Sequence, residues 1–341
     1  MVYNMPFTMP GPEIPAESAR RPALAVALGD PSGIGPEVLA KALAAGVEAD
    51  VIVVGDMEVW NIAQRVGGVT LPAVPVHEVP IQDRSWAAGA MSAAAGRAAA
   101  AWLTAAVRLA LSGAADAVVF APLNKQAIIR AGFPVRDEYE LCASLAGVDD
   151  HDEMNVIPHP AGTDASGGLL WVARATSHVP LKDVAALLTV ERVLHTIRLA
   201  HRTAADAGTL APRIGVAALN PHAGEGGLVG DEERRIIAPA IAAAASEGLD
   251  ATGPHPADHV FRLARAGAFD VVVAMYHDQA QIATKLLGFE RGVSVGVGYP
   301  FVMTTPSHGT AHDIAGRGIA DPGPMRQALS VAGRLVRTRR R

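Results

Sequence analysis

The stretch ALAVALGDPSGIGPE, residues 23–37, decides the fold class because it joins an apolar run to a glycine-rich polar loop. A continuous run of Val, Leu and Ala is typical of a parallel strand that is buried on both faces. Pro36 and Glu37, at the end of the stretch, suit the first turn of a helix. The stretch therefore predicts one strand–loop–helix unit of an α/β protein.

The same pattern returns further along the chain as apolar runs that lead into polar loops. These are AVVFA into PLNK at 117–125, LLWVARA into TSH at 169–178, IGVAA into LNPHAGEGG at 214–227, and VVVAM into YHDQ at 271–279. The predicted strands are Ala23–Leu28, Val51–Val54, Ala117–Phe120, Leu169–Ala173, Ile214–Ala218 and Val271–Met275. We expect a mostly parallel sheet flanked by Ala-rich helices, with ligand-binding loops at the carboxyl ends of the strands.

The length predicts how the chain is divided. A chain of 341 residues allows two packed lobes, because single cores stop growing at about 250–300 residues. We expect a flexible arm over 1–20, a first α/β lobe formed by 21–134 plus 309–341, and a second α/β lobe over 135–308. The basic end of the chain, residues 334–341, is expected to be a solvated tail.

Composition argues against several classes of partner. The net charge of −5 and the absence of interleaved basic and aromatic residues argue against nucleic acid. Cys142 is the single cysteine, so the chain has no internal disulfide, and we expect it to be a small buried hydrophobe. No unbroken apolar run reaches the ~20 residues that cross a bilayer. We therefore expect a cytoplasmic protein without a membrane partner.

Three histidines, His178, His222 and His277, each follow an apolar strand by a few residues. Imidazole is a common ligand of divalent metals, and three ligands that leave one position open are usual in a catalytic site. Taken singly, each histidine is more often a hydrogen-bonded structural residue, and no HExxH signature brings them together. Their equivalent positions leave a metal site and a structural role equally open, and Asp258 or Asp278 could complete such a site.

Other polar residues at the predicted strand ends are candidates for ligand binding. Asp30 ends the first strand, and Lys125 and Lys285 could bind an anionic substrate or transfer a proton, although surface exposure is the alternative for each lysine. The segment SHGTAHDIAGRGIADP, 307–322, is rich in small residues, which let a ligand approach the backbone, and its carboxylates could bind ribose hydroxyls.

Five ordered motifs resemble those of the 4-hydroxythreonine-4-phosphate dehydrogenase family. They are GDPSGIGPEV, APLNKQAI, NPHAGEGGLVGDEE, YHDQ and HGTAHDIAGRGIADP, and the last is also similar to a loop of isopropylmalate dehydrogenases. The resemblance implies a homodimer of two-lobed subunits with an isopropylmalate dehydrogenase-like fold. It also implies that the active sites lie in the interlobe clefts and are shared between the subunits.

The same resemblance implies the cofactors and the residues that bind them. One divalent metal (Zn, Mg, Mn or Co) would be held by His178, His222 and His277, two from one subunit and one from the other. NAD or NADP would lie along a loop whose contacting residues are His308, Gly309, Thr310 and Asp313. Lys125 is our candidate proton acceptor, and Asp258 and Asp278 are further catalytic candidates.

The chain departs from this family where substrate phosphate is bound. In place of Gly-His-Thr-Glu it reads Asp-Glu-Tyr-Glu, so that Glu138 and Tyr139 replace a histidine and a threonine. Met303 stands where the family has an arginine and Ser294 where it has an asparagine, while Lys285 is retained. Methionine offers no hydrogen bond to an anion, so the phosphate site should be severely weakened.

These substitutions lead us to expect a different substrate, a hydroxy acid or a carboxylated diol, whose oxidation could be followed by decarboxylation. Three alternatives stay open. They are a genuine 4-hydroxythreonine-4-phosphate or phospho-tetronate dehydrogenase, a metal-dependent hydrolase or lyase, and a non-catalytic ligand-binding protein.

Overall fold

The computed structural model describes residues 20–71, 73–159, 168–288 and 291–340. Except for Arg20, the predicted N-terminal arm lies outside these ranges. The strands within them are β1 (Ala23–Ala27), β2 (Asp50–Gly55), β3 (Val76–Glu78), β4 (Ala117–Phe120), β5 (Asp152–Pro158), β6 (Leu169–Arg174), β7 (Ile214–Ala217), β8 (Ala251–His255), β9 (Val271–Ala274), β10 (Val293–Val297) and β11 (Val302–Pro306). In the described ranges these eleven strands form one sheet in the order β3-β2-β1-β4-β11-β10-β5-β6-β9-β7-β8.

Helices flank this sheet and connect its strands. They are α1 (Gly35–Ala44), α2 (Met57–Gly67), α3 (Ala93–Leu111), α4 (Lys125–Arg130), α5 (Glu138–Ala146), α6 (Val184–Leu187), α7 (Val190–Asp206), α8 (Ala238–Ser246), α9 (Ala257–Arg265), α10 (His277–Gly288) and α11 (Gly323–Arg339). Several helices follow a residue whose side chain accepts a hydrogen bond from a backbone amide of the first turn. Asp56, Ser92 and Thr189 are examples. The α/β fold class is therefore confirmed.

All six strands predicted from the sequence are present, with ends that differ by at most one residue. Strands β1, β4, β6 and β9 are buried along their whole length, which is why their sequences are uniformly apolar. Five other strands lack that signal. Strand β5, for example, reads DEMNVIP and β8 reads ATGPH, so charged, small and proline residues interrupt their apolar pattern.

The centre of the sheet is antiparallel, although the sheet is mostly parallel as expected. Strand β10 runs antiparallel to both β11 and β5, and β5 runs antiparallel to β6. The remaining ladders are parallel, including β4 with β11 and β6 with β9. Consequently the carboxyl ends of β4 and β6, which carry the PLNK and TSH loops, lie on either side of this central segment.

The basic end of the chain is not the solvated tail that its charge suggested. Helix α11 continues to Arg339 because one of its faces buries Leu329, Leu335 and Val336. Beyond the helix, Arg340 Nη2 lies 2.5 Å from Asp116 Oδ1. Amphipathic packing and this ion pair hold the terminal turns against the body of the protein.

Two other expectations concern burial. Cys142 is completely buried, and burial raises the pKa of its thiol, so its prediction as an inert buried hydrophobe is confirmed. None of the helices in the four described ranges has the length and apolar character that a bilayer crossing demands.

Candidate functional site

A cavity of about 550 Å³ lies beside the central strands. Side chains from several loops and elements line it, among them Lys125, Tyr139, Glu153, Arg174, Ser177 and His178. Lys125 begins α4, Tyr139 lies in α5, Glu153 lies in β5, and the last three residues belong to the end of β6 and its loop. Polar residues that are far apart in the chain thus meet at one concave surface, which is typical of a ligand site.

Lys125 and Glu138 form an ion pair at the edge of this cavity. Lys125 Nζ lies 3.7 Å from Glu138 Oε1. The Asn124 side chain accepts a hydrogen bond from Ala127 N at 3.0 Å and so fixes the helix start that carries Lys125. Burial raises the pKa of Glu138 to about 7, although Lys125 opposes this shift. Glu138 can therefore hold or release a proton near neutral pH next to Lys125.

Tyr139 also lines the cavity, and its backbone is anchored. Its ring packs edge-on against Phe120 at a centroid distance of 6.4 Å, and its carbonyl accepts a hydrogen bond from Tyr299 Oη at 2.8 Å. Burial raises the pKa of the Tyr139 phenol, so the group is neutral at physiological pH. A neutral phenol can donate a hydrogen bond to a ligand but carries no charge for an anion.

A buried polar network forms the floor of the cavity. Arg174 Nη1 donates to Asn155 Oδ1 at 2.7 Å, and Arg174 Nη2 lies 3.1 Å from Glu153 Oε2. Ser294 Oγ donates to Glu153 Oε1 at 2.7 Å, and Gln281 Nε2 donates to Asn155 Oδ1 at 2.9 Å. The network joins β5, β6, β10 and α10.

Sequence reasoning missed Arg174, Glu153 and Asn155. One signal was available, because Arg174 ends the otherwise apolar run LLWVAR and a charge inside a buried strand requires a partner. The identity of that partner was not visible, since β5 was not predicted as a strand.

His178 and His277 lie next to each other at the side of the cavity. Their ring centroids are 5.2 Å apart. His277 Nδ1 and Asp278 Oδ1 are within 2.7 Å, which orients the His277 ring and leaves its Nε2 free of this contact. Burial, together with Lys125, lowers the pKa of His178 and favours the neutral imidazole that a metal requires. His178 has φ 52°, a left-handed conformation that a non-glycine residue adopts at a cost.

His222 lies on a loop of unusual backbone conformation. Six successive residues, 222–227, have positive φ, and the first five of them form a left-handed turn. Glu233 stabilises the entry to this turn, because its Oε1 accepts from the backbone amides of Leu219 at 2.8 Å and Asn220 at 2.7 Å. Glu233 thus has a structural role in this loop.

The three histidines do not all meet within one chain. In the part of the chain that the structure describes, no group of three His, Cys, Asp or Glu side chains is placed to hold a metal ion. The structure brings His178 and His277 together and leaves His222 exposed on its loop. The donor chemistry of the histidine pair, with Asp278 behind one ring, fits part of a divalent metal site.

The glycine-rich C-terminal segment packs against the GDPSG loop. Ile34 N donates to Thr310 O at 2.9 Å, and a Cβ on Gly33 would lie 2.8 Å from Thr310 Cβ, so glycine is required there. Asp30 is buried, and its Oδ1 accepts hydrogen bonds from Ser32 N at 2.8 Å and Ser32 Oγ at 2.6 Å. Across the contact, His312 Nε2 lies 3.4 Å from Asp30 Oδ2.

Asp30, predicted to bind substrate, therefore joins two loops and does not line the described cavity. Of the predicted nucleotide-binding residues, Thr310 is buried, His308 Nδ1 lies 3.0 Å from Gly309 O, and Asp313 is exposed. A Cβ on Gly309 would meet no atom within 4 Å, so the surface around this glycine is open.

The remaining predicted site residues do not themselves line the cavity. Asp258 is exposed in the first turn of α9, and Lys285 is exposed on α10. Met303 is fully buried and packs over Gly296 of the neighbouring strand, where a Cβ would lie 2.2 Å from Met303 Cε. Ser294 takes part in the buried network through Glu153. The roles assigned to these four residues stay predictions.

Comparisons with known proteins match most of the chain. The family described as pyridoxal phosphate biosynthetic protein PdxA matches residues 34–332. A 4-hydroxythreonine-4-phosphate dehydrogenase of Beijerinckia indica is 44% identical over 92% of this chain and 94% of its own length. A crystal structure of the dehydrogenase of that name from Klebsiella pneumoniae is 37% identical, with a TM-score of 0.80 over 93% of this chain and 98% of that one.

A more distant likeness is to a terephthalate 1,2-cis-dihydrodiol dehydrogenase from Burkholderia xenovorans. It is 30% identical, with a TM-score of 0.62 over 90% of this chain and 96% of that one. The relatives compared are thus named as dehydrogenases, which are oxidoreductases that act on CH–OH groups, and the enzyme class expected from the motifs is confirmed. The chain belongs to the 4-hydroxythreonine-4-phosphate dehydrogenase (PdxA) family.

Proposed function

We propose that this protein is a metal-dependent, NAD(P)-dependent dehydrogenase that oxidises a secondary hydroxyl of a hydroxy acid or a carboxylated diol. The observation that carries the proposal is the cavity beside His178 and His277, which Lys125 lines on one side and carboxylates on another. Such a cavity suits a hydroxyl-bearing substrate better than a phosphate ester. The likeness to a dihydrodiol dehydrogenase supports a substrate of this kind.

The residues of this chain fit a divalent metal, which we propose to be Zn, Mg, Mn or Co. His178 and His277 would supply two ligands, and His222 of the partner subunit would supply the third. When bound, such a metal polarises the substrate hydroxyl and the carbonyl that forms from it. Asp278 orients the ring of His277 for this role.

Lys125 is the proposed proton acceptor. Oxidation of a secondary alcohol releases a hydride from carbon and a proton from oxygen, and bound NAD or NADP would supply the hydride acceptor. The loop from His308 to Asp313 would bind the nucleotide, with Asp313 available for ribose hydroxyls. Lys125 lines the cavity and can take the hydroxyl proton if it starts uncharged, while Glu138, 3.7 Å away, can hold or return a proton near pH 7.

A homodimer with shared active sites is part of this proposal. Exposed apolar side chains lie on the segments that carry the histidines. Ile282 and Leu286 follow His277 on α10 with 62% and 83% of their surface exposed, and Leu228, which follows His222, is 85% exposed. A second subunit that covers these side chains would also bring the third histidine to the site.

Reduction of NAD⁺ or NADP⁺ tests the proposal. Chelator-treated protein would be assayed with and without Zn²⁺, Mg²⁺, Mn²⁺ and Co²⁺ against hydroxy acids, carboxylated cis-diols and 4-hydroxythreonine 4-phosphate. We expect metal-dependent turnover of an unphosphorylated substrate, its loss in His178→Ala, and its retention in the surface variant His195→Ala. Efficient turnover of 4-hydroxythreonine 4-phosphate would contradict the proposed substrate class, and reduction of neither nucleotide with any substrate would contradict the proposed activity.

A further inference from the structure

Glu153 presents a carboxylate to the cavity from the middle of the sheet. It lies in β5, and 18% of its side chain is exposed, whereas its partner Arg174 is only 1% exposed. Glu153 therefore stands between the buried arginine and the space that a ligand would occupy. Resting on the function proposed above, we infer that Glu153 determines substrate specificity by accepting a hydrogen bond from a substrate hydroxyl and repelling a phosphate group.

The polar contacts of Arg174 show that its charge is already paired inside the protein. Its Nη1 donates to Asn155 Oδ1 at 2.7 Å, and its Nη2 pairs with Glu153 Oε2 at 3.1 Å. Its Nε is buried and has no hydrogen-bond partner among the described residues. The charge of the arginine is thus used to hold Glu153, and the group left facing the cavity is the carboxylate.

Glu153 has the capacity and the charge for the proposed role. A carboxylate offers about four lone-pair sites, and the contacts from Ser294 and Arg174 occupy one on each oxygen. Burial alone would raise the pKa of Glu153, but Arg174 and the hydrogen bond from Ser294 hold it below its ordinary value. The group is therefore ionised at neutral pH and can accept a further hydrogen bond.

Most of the other positive charge around the cavity is already paired with carboxylates. Of the four cationic side chains that line the cavity in the described ranges, three already have a carboxylate partner. These pairs are Arg174 with Glu153, Lys125 with Glu138, and Arg136 with Glu140. The fourth, Arg192, is exposed, and its Nε donates to the carbonyl of Ala175.

Further carboxylates reinforce this balance. Asp137, at the start of α5, and Asp152, next to Glu153 in β5, line the same cavity. Two unit charges of like sign repel strongly in a partly buried site because the effective dielectric constant is low. A dianion would meet this repulsion twice over, whereas a hydroxyl group would gain a hydrogen bond to an ionised acceptor.

The substrate class that follows is an unphosphorylated hydroxy acid or diol, with one of its hydroxyls on Glu153. The test compares a four-carbon dihydroxy acid with its terminal phosphate ester, in wild type and in Glu153→Gln. We expect wild type to prefer the unphosphorylated acid. The variant should raise the ratio of kcat/KM for the phosphate ester to that for the free acid by tenfold or more. Glu247→Gln is the matched control, because it removes an equal charge from an ion pair outside the cavity and should leave the ratio unchanged.

Removal of Glu153 alone leaves Arg174 buried without its charged partner, so Glu153→Gln could fail to fold. The double variant Glu153→Gln with Arg174→Met removes both charges and should shift the ratio in the same direction. Its folding is checked by thermal unfolding before the assay.

Calorimetric titration of both acids separates this inference from the proposed activity, because binding needs no turnover. A tenfold or larger rise in the relative affinity for the ester in the variants supports the role of Glu153 even if no substrate is oxidised. An unchanged ratio in both variants, a wild-type preference for the ester, or binding of neither acid by wild type overturns it.

Discussion

The pKa values of individual side chains in this site depend strongly on burial. Glu138 illustrates this, because a glutamate at the start of a helix would be ionised at neutral pH if it were exposed to solvent. Here burial raises its pKa from 4.5 to about 7. The folded protein therefore holds a proton that the unfolded chain releases between these two values.

Glu138 should make the protein less stable as pH rises. Its contribution to the free energy of unfolding is fully present below pH 4.5 and is lost as pH rises to about 7. The shift corresponds to about 3 kcal/mol. Urea unfolding of wild type and Glu138→Gln at several values between pH 4.5 and 7 should show that the variant gains stability relative to wild type by up to this amount. Parallel pH profiles of the two proteins would contradict the assignment, and Glu140→Gln, at a half-buried neighbour on the same helix, is the control.

Asp278 should tune the proposed metal site through His277. The loss of a carboxylate that orients a metal-binding histidine typically lowers metal affinity by about 10–100-fold. Asp278→Asn should show such a loss in calorimetric titration with Zn²⁺ or Mn²⁺. Asp50→Asn, a change of the same kind at the exposed start of β2, should bind as wild type does. Equal affinities of all three proteins would refute the role of Asp278.

At the scale of elements, the site depends on how closely helices approach each other. Gly96 of α3 faces the backbone of α4, and a Cβ at this position would lie 2.1 Å from Ala127 O. Only glycine allows this approach, which sets the position of the helix that begins with Lys125.

Gly96→Ala should therefore displace α4 and destabilise the protein. Overpacking of this kind costs about 1–3 kcal/mol, and the clash with backbone atoms leaves little room for adjustment. Gly67→Ala is the matched control, since a Cβ on that helical glycine would meet no atom closer than 3.4 Å. Chemical denaturation should show a loss for Gly96→Ala and an unchanged or slightly raised stability for Gly67→Ala. Equal stabilities of the two variants would disprove the argument.

Another element-scale feature ties the end of the glycine-rich C-terminal segment, 307–322, to α1. Lys41 Nζ donates to Gly318 O at 2.8 Å, to Ala320 O at 2.9 Å and to Glu37 Oε1 at 2.8 Å. Ala320 N also donates to Glu37 Oε1 at 2.9 Å. Glu37, which the sequence explained as a helix-start acid, thus also fixes a loop that follows it by more than 280 residues.

At the scale of the whole molecule, the sheet continues without a break through both predicted lobes. The division into 21–134 plus 309–341 and 135–308 stays a prediction. The central strands pair across the boundary between these two predicted lobes. Strand β11, assigned to the second lobe, pairs with β4 of the first and with β10.

The proposed homodimer makes a prediction at the same scale. Ile282 and Leu286 are four residues apart on α10 and so lie on the same face of the helix. Leu286→Asp would bury a charge in the proposed interface and should yield a monomer in light scattering, with a loss of metal affinity. Leu210→Asp changes a leucine that is 95% exposed outside the histidine segments and should leave the mass unchanged. A Leu286→Asp variant with the mass of the wild-type dimer would rule out this interface.

The sequence by itself determined the buried strands and the loops that carry the histidines. A buried strand is a short run of apolar residues, and it ends where polar residues begin, so both features can be read locally. It also carried the family motifs, and with them the enzyme class. The tertiary structure alone decided that β5, β10 and β11 form an antiparallel centre, since their mixed sequences lack a uniform apolar signal. It likewise decided that Arg174 pairs with Glu153 and that Ser294 joins them, because contacts across 21 and 141 residues leave no local trace in the sequence.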